Sequence, residues 1–207
     1  MKIDSSLASL NETLRTIAGR RSVRRFMDLD VPDAWVSVLL DAANRAPSAH
    51  NRQSWRFLVV RGLPKEGLAD LAARKATDFP RPASVLLRMA ARSISTAPLI
   101  IAVTNTGDLI HHGRALFHLE DAKSSDFFRT MEIQSSAAAV ENLLLAAASL
   151  GLATVWLGIL YLIKDEMLQF LGEPRGEFMA VVPVGYPAAE TSAPKKRPLD
   201  TVVRTIA

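Results

Sequence analysis

The run MEIQSSAAAVENLLLAAASLG, from Met131 to Gly151, constrains the fold more than any other part of the chain. Its length and apolar character predict a helix of about 20 residues. Gly151 is its natural stop, because glycine readily takes the left-handed conformation found at many helix ends. A helix that is apolar on nearly every side lies in the interior of a structure. Because the other predicted elements form only modest layers, we expect a second subunit to cover part of it.

Apolar spacing predicts four further helices, at residues 3–18, from near Pro32 to Pro47, and at 65–76 and 84–94. The predicted buried stripe of the second helix is Trp35, Val38, Leu39, Ala42 and Ala46. Strands are predicted at WRFLVV, PLIIAVT, TVWLGI and FMAVVPVGYP. Residues 105–130 have no clear periodicity before a helix resumes. Helices and strands do not alternate strictly, which favours an α+β fold in a single domain spanning residues 1–207.

The charge distribution favours small anionic ligands over nucleic acid. The net charge is +4, and the basic residues concentrate in GRRSVRR and PKKRP with few aromatic residues between them. An extended nucleic-acid surface needs interleaved stacking and phosphate contacts, so two local anion sites fit better. The chain has no cysteine, no signal-peptide core and no apolar run of about 18 residues. We therefore expect a soluble cytoplasmic protein that binds neither nucleic acid nor membranes.

Several common catalytic motifs are absent from the sequence. It contains no GxGxxG, GxxxxGK[ST], GxSxG or HExxH. No motif therefore indicates a Rossmann dinucleotide-binding protein, a P-loop nucleotide-binding protein, a serine hydrolase or a zincin. A histidine-rich stretch holds His111, His112 and His118 beside Glu120 and Asp121, but its spacing is not that of a metal site. We predict no metal centre.

Two polar segments have the residue types that bind a ligand. In an extended RRSVRR, the alternate residues Arg20, Ser22 and Arg24 point to one side, where they can contact a single dianion. In APSAHNRQSW, Asn51 and Gln53 each offer the donor and acceptor that a flat heterocycle requires. A solvated basic loop explains the first segment equally well, and a helix cap followed by a turn explains the second.

Taken together, the chain resembles the FMN-dependent nitroreductases. The resemblance rests on RRSVRRF, AANRAPSAHNRQSWRF, ENLLLAAASLGLATVWLGI, VVPVGYP and KKRPLD, which occur in this order over nearly the whole chain. It implies an α+β fold with a central, mostly antiparallel sheet flanked by helices. It also implies a homodimer that exchanges terminal segments and binds two FMN molecules at its interface. Burial in that interface would explain why the helix predicted from Met131 is apolar on nearly every side.

The resemblance also implies roles for individual residues. Arg20, Ser22 and Arg24 would hold the FMN phosphate, with Arg24 reaching the pyrimidine edge, and the tail cations Lys195 and Arg197 would close on the same phosphate. The segment from Pro47 would approach the flavin of the partner, and the Gly158 backbone N–H would face flavin N5. The full predicted cofactor-binding set is Arg20, Arg21, Ser22, Arg24, Pro47, Ser48, Ala49, Asn51, Gln53, Trp156, Leu157, Gly158, Lys195 and Arg197.

The implied activity is an NAD(P)H-dependent FMN oxidoreductase that reduces nitroaromatics or quinones by a ping-pong hydride mechanism, with no catalytic side chain. Two departures from the family pattern stand out. Ser54 replaces the usual proline, and residues 104–130, where family members differ, carry no recognisable pattern. A non-catalytic FMN-binding module, a family member specialised for deazaflavin or flavin metabolism, and a small basic nucleic-acid-binding protein remain alternatives.

Overall fold

The computed structural model describes residues 11–117 and 121–206. Its helices are α1 (Glu12–Gly19), α2 (Asp33–Asn44), α3 (Gly62–Lys75), α4 (Ala83–Thr96), α5 (Asp108–Phe117), α6 (Asp121–Ser149) and α7 (Lys164–Phe170). Its strands are β1 (Trp55–Arg61), β2 (Leu99–Asn105), β3 (Ala153–Thr154) and β4 (Glu177–Gly185). Within the described residues, none of the helices is both long enough and apolar enough to cross a membrane.

The strands form one antiparallel sheet in the order β1-β2-β4-β3. Strand β2 lies in its middle, paired with β1 from Trp55↔Asn105 to Arg61↔Leu99 and with β4 from Leu99↔Val184. All seven β2 residues are buried, because helices cover both faces of the sheet. The predicted α+β fold with a mostly antiparallel sheet is confirmed.

Successive β2 side chains point to opposite faces of the sheet and enter two separate cores. Leu99, Ile101 and Val103 pack on one face with α2 and α6. Ile100 and Ala102 pack on the other face with α3, α4 and α7. Full burial of a side chain of this size stabilises the fold by about 1.5–3 kcal/mol, so the central strand joins both helical layers to the sheet.

Helix α6 is 29 residues long and begins ten residues before the predicted start at Met131. On its inner side Ala139, Leu143 and Ala147 are fully buried against the sheet. On its other side Ala138 and Leu145 remain half-buried. The single chain therefore covers this apolar helix only in part.

Three sequence predictions need correction. Only Thr154 of TVWLGI is in a strand, β3, because after a single further hydrogen bond from the Leu157 N–H to the Val181 carbonyl the chain turns into a short 3-10 helix at Gly158–Ile163. The buried residues of α2 are Val36, Leu39 and Ala43, whereas Val38 is 51% exposed. Apolar residues occupy most α2 positions, so their spacing fits two stripes, and packing against α6 selects one. Of the helix predicted at 3–18, only α1 lies within the described residues.

The third correction is α5, which forms where no periodicity was found. Contacts from α6 explain it. The Glu132 Oε1 atom accepts a hydrogen bond from the Leu109 N–H at 2.8 Å, in the first turn of α5. One face of α5 packs on Phe128, whose ring lies directly over Gly113. Both contacts come from residues distant in the sequence, so a search for local periodicity does not find this helix.

Replacing Gly113 by alanine should destabilise the protein. A Cβ at this position would lie 2.2 Å from the Phe128 ring, which is 1% exposed and held between Phe117 and Phe127. We expect Gly113→Ala to lower the free energy of unfolding by about 1–3 kcal/mol, measured by urea denaturation. Gly19→Ala is the matched control, because a Cβ there meets nothing within 4 Å. Equal stability of the two variants would contradict the packing described for α5.

Burial raises the pKa of the Glu132 carboxyl, which is 1% exposed, above its usual range. Between the ordinary Glu pKa of about 4.3 and this raised value, the folded state keeps a proton that the unfolded state has lost. The contribution of Glu132 to stability therefore falls as pH rises through that window. In urea denaturation at several pH values, Glu132→Gln should gain stability relative to wild type as pH rises.

Glu66 supplies a control of opposite sign. A hydrogen bond from Lys65 lowers the pKa of the Glu66 carboxyl, so its contribution is present above the unfolded pKa and is lost as pH falls through the lowered value. Glu66→Gln should therefore lose stability relative to wild type as pH rises. If the stability of both variants relative to wild type changed with pH in the same direction, burial would not be the cause of the pH dependence assigned to Glu132.

Candidate functional site

The segment after α1 runs beside β3 and exposes several polar side chains. The Val23 N–H donates to the Thr154 carbonyl at 3.0 Å, and Ser22 forms a parallel bridge with Thr154. Val23 is buried, whereas Ser22 and Arg24 are exposed. The period of an extended chain thus places the Ser22 hydroxyl and the Arg24 guanidinium outward, and Arg25 is exposed as well.

Arg20 and Arg21 have different surroundings, although both line a hollow of about 450 Å³ with Thr154. The Arg21 guanidinium donates to the carbonyls of Ala18 at 2.6 Å and Arg20 at 2.8 Å. It thereby satisfies carbonyl groups at the C-terminal end of α1. The Arg20 Nε atom lies 3.9 Å from the Glu141 Oε1 atom, a long contact that leaves its donors available. Arg21 is therefore tied to the backbone, and Arg20 is the freer of the two.

A groove of about 160 Å³ brings Arg24 next to Trp156 and Gly158. Leu157, between them, is buried and bound through its backbone to Val181. Gly158 is exposed, and a Cβ built on it would meet nothing within 4 Å. Two of the predicted segments therefore converge on one groove, with open space above the Gly158 backbone.

The other wall of this groove comes from α4, which the sequence did not single out. Leu86 and Met89 line it and are 43% and 42% exposed. Met89 and Arg24 also line an adjoining hollow, together with Arg25 and Arg92. Nothing in the local sequence separates Met89 and Arg92 from an ordinary exposed helix face. Only the folded chain brings them beside Arg24.

The segment from Pro47 to Gln53 folds on itself and lies elsewhere. The Ser48 Oγ atom accepts from the Gln53 N–H at 3.1 Å, and the Gln53 Nε2 atom donates to the Asn51 Oδ1 atom at 3.0 Å. The Ala49 N–H donates to the Ser135 Oγ atom of α6. None of the segment lines the hollows formed by Arg20, Arg24 and Gly158. A single chain therefore does not bring it to the groove.

Unusual backbone geometry marks the same segment. His50, Asn51 and Gln53 have φ values of 52°, 51° and 51°, in the left-handed region that side chains other than glycine rarely adopt. Arg52, between them, forms an ion pair with Asp108 at the start of α5. Backbone strain of this kind persists where surrounding contacts fix the chain, and it is frequent at ligand sites.

The predicted tail cations lie in an exposed stretch of the described chain. Residues 188–206 are exposed throughout, including Lys195 and Arg197. The first of them is held by a hydrogen bond from the Ala188 N–H to the Arg25 carbonyl. The tail also exposes large apolar side chains, with Leu199, Val203 and Ile206 at 76%, 60% and 86%. These apolar groups lack a covering surface on their own chain.

His112, in the 105–130 region, lies beside the ring of His50. His50 is 6.4 Å from His112 and 5.9 Å from Phe117, between ring centroids. In the part of the chain that the structure describes, no three histidine or acidic side chains are close enough to hold a metal ion. His118 and Glu120 lie outside that part.

Comparisons with known proteins agree with this fold. The model of the Nitroreductase family matches residues 17–186. A relative from Archaeoglobus fulgidus, whose name joins NADH dehydrogenase and NAD(P)H nitroreductase, is 32% identical over 87% of this chain and 88% of its own.

Two solved structures are similar over nearly the whole chain. One, from Desulfovibrio desulfuricans in complex with FMN, has a TM-score of 0.72 and 29% identity, covering 96% of this chain and 99% of its own. The other, a BluB-like flavoprotein from Clostridium difficile, has a TM-score of 0.75 and 25% identity, covering 95% and 100%. The family match spans most of the chain and includes both the Arg20–Arg24 segment and the Trp156–Gly158 groove, and the chain belongs to the nitroreductase family.

Proposed function

We propose that the protein is an NAD(P)H-dependent FMN oxidoreductase that reduces flat, electron-poor acceptors such as nitroaromatics and quinones. The observation that carries the proposal is the convergence of Arg24 with Trp156 and Gly158 on one groove. The family match and the FMN bound to the Desulfovibrio desulfuricans relative support it. When bound, FMN would supply hydride transfer, from NADH or NADPH to the acceptor, in a ping-pong cycle.

The exposed donors of the Arg20–Arg24 segment fit the phosphate of FMN. Ser22 and Arg24 are exposed on one side of the extended segment, and Arg20 has only its long contact with Glu141. Guanidinium groups bind phosphate oxygens through two parallel donors, so Arg20 would hold the dianion together with the Ser22 hydroxyl, whereas Arg24, which lines the groove with Gly158, would face the ring. Because Arg21 already donates to two backbone carbonyls, we assign it the role of fixing the end of α1.

The Gly158 end of the groove fits the flat ring of the flavin. The space above the Gly158 backbone would let a ring approach closely, and the backbone N–H would donate to flavin N5. Leu86 and Met89 would cover one face of the ring and exclude water from it. Arg24 would lie by N1 and O2, where a charged hydrogen bond to a desolvated anion is worth about 1.5–3 kcal/mol. No side chain is required as nucleophile or general acid.

A homodimer would complete the site, and three features of the single chain support one. Helix α6 keeps a half-buried apolar side at Ala138 and Leu145. The tail exposes Val203 and Ile206. The Pro47–Gln53 segment does not line the groove of its own chain, so in a dimer it would approach the groove of the other copy. Lys195 and Arg197 would then add cations to the phosphate site.

Replacing Arg20 tests the phosphate assignment. Loss of one charged hydrogen-bonding group to phosphate should weaken FMN binding by about tenfold to a hundredfold. We expect Arg20→Ala to lose flavin on gel filtration and to bind FMN more weakly in a fluorescence titration of the apoprotein. Arg45→Ala, which removes an arginine paired with Asp41 on the exposed side of α2, is the matched control. Full flavin retention by Arg20→Ala would contradict the assignment.

Turnover separates the proposed enzyme from a protein that only carries flavin. Wild-type protein loaded with FMN should lose its visible absorbance with NADPH or NADH under anaerobic conditions. A quinone should then restore the absorbance. Protein that binds FMN but fails to bleach with either donor would be a non-catalytic flavin-binding module.

The tail provides a test of the dimer. Sedimentation equilibrium should give twice the mass of one chain. Val203→Asp together with Ile206→Asp should shift the protein toward monomer, because each would place a charge on an apolar contact that the dimer buries. Leu63→Asp is the control, since Leu63 is 87% exposed but lies at the start of α3, outside the tail. A wild-type monomer with bound FMN would overturn the interface site.

A further inference from the structure

Beside the proposed flavin groove lies a second hollow, of about 470 Å³, which we call the arginine hollow. Its walls include Arg24, Arg25 and Arg92 above the apolar side chains of Phe26 and Met89. No aspartate or glutamate lines it. Three like charges at one small site repel each other unless an anion binds between them. The hollow is therefore a place of uncompensated positive charge.

The three guanidinium groups have no acidic partner among the described residues. Their backbones are nevertheless fixed, because the Arg25 carbonyl accepts from the Ala188 N–H and the Arg92 carbonyl accepts from the Thr96 hydroxyl. The Glu66 carboxylate accepts a hydrogen bond from Ser95 on the hollow wall, but it is paired with Lys65. The hollow thus combines a fixed frame with free donors.

Position and chemistry indicate the kind of ligand. Arg24 and Met89 line both the arginine hollow and the proposed flavin groove, so the two sites are contiguous. Arginine binds a phosphate monoester through paired donors and also stacks on flat rings. A ligand that carries a phosphate monoester close to an aromatic base, and that reaches the flavin groove from outside, matches both properties.

We propose that Arg25 and Arg92 bind the 2′-phosphate of NADPH, so that the protein prefers NADPH to NADH. The inference rests on the proposed function, in which Arg24 serves FMN and a nicotinamide donor enters the neighbouring groove. Arg25 and Arg92 have no part in that FMN assignment. The phosphate of FMN is the other phosphate monoester that could occupy the arginine hollow, and the experiment below distinguishes the two.

The first measurement compares two nucleotides that differ by a 2′-phosphate, and it needs no turnover. Calorimetric titration of FMN-loaded protein should give binding of adenosine 2′,5′-bisphosphate at least tenfold tighter than that of adenosine 5′-monophosphate, the effect of about one charged hydrogen bond. Steady-state kinetics should give a matching preference for NADPH in kcat/KM. Equal affinity for the two nucleotides, or equal kcat/KM for the two donors, would overturn the proposal.

The second measurement uses variants. Arg25→Gln and Arg92→Gln should each lower the NADPH-to-NADH ratio of kcat/KM by about tenfold or more and weaken the bisphosphate equally. Arg88→Gln is the matched control, because Arg88 is exposed on α4 one turn before Arg92 and does not line the arginine hollow. An equal loss in Arg88→Gln would reduce the effect to general surface charge and overturn the proposal.

The FMN affinity of the apoprotein shows which phosphate group binds in the arginine hollow, that of FMN or the 2′-phosphate of NADPH. Arg25→Gln and Arg92→Gln should bind FMN as wild type does, within about twofold, whereas Arg20→Ala should not. If both glutamine variants lose FMN affinity as strongly as they lose the bisphosphate, the arginine hollow holds the FMN phosphate and the proposal fails. Wild-type protein that binds no FMN at all would instead refute the proposed function, and titration of this FMN-free protein with the same two nucleotides would still decide the 2′-phosphate site.

Discussion

The packing of α6 against the central strands is the contact on which the other positions depend. Ala139, Leu143 and Ala147 are fully buried against β2 and β4, so the rest of the helix is fixed relative to the sheet. Along its length, α6 then contacts separate functional segments. Glu132 holds the first turn of α5, Ser135 holds the Pro47–Gln53 segment, and Glu141 lies by Arg20. One apolar helix thus sets the distances between pieces that are far apart in the sequence.

Elements with a strong local signal could be predicted from the sequence. β1, β2, β4, α3 and α4 appear where periodicity and composition place them. The misses share a physical cause, which is that their determinants are tertiary. Helix α5 depends on Glu132 and Phe128, and the buried stripe of α2 depends on which of two apolar faces meets α6.

The residues of the candidate site also fall into those that local sequence predicts and those that it does not. An extended RRSVRR already implied that Ser22 and Arg24 face together, because alternation follows from covalent geometry. The resemblance to a family supplied the link to the Trp156–Gly158 stretch, which no local pattern contains. Met89 and Arg92 had no signal, since a helix position becomes part of a site only through its neighbours in space. For the polar Pro47–Gln53 segment the sequence left two interpretations open, a ligand site and a cap followed by a turn. The structure shows internal hydrogen bonds in this segment, and whether it approaches the groove of a second copy depends on assembly, which residue spacing does not encode.

The left-handed backbone at His50, Asn51 and Gln53 limits how this segment can diverge. β-branched residues are poorly tolerated at such φ values, so valine, isoleucine and threonine are disfavoured at three neighbouring positions whatever their affinity for a ligand. Arg52 has an ordinary φ of −76° and escapes this restriction, but its pairing with Asp108 couples any change there to α5. New ligand preferences are therefore more easily acquired through residues on the surrounding helices than through this loop.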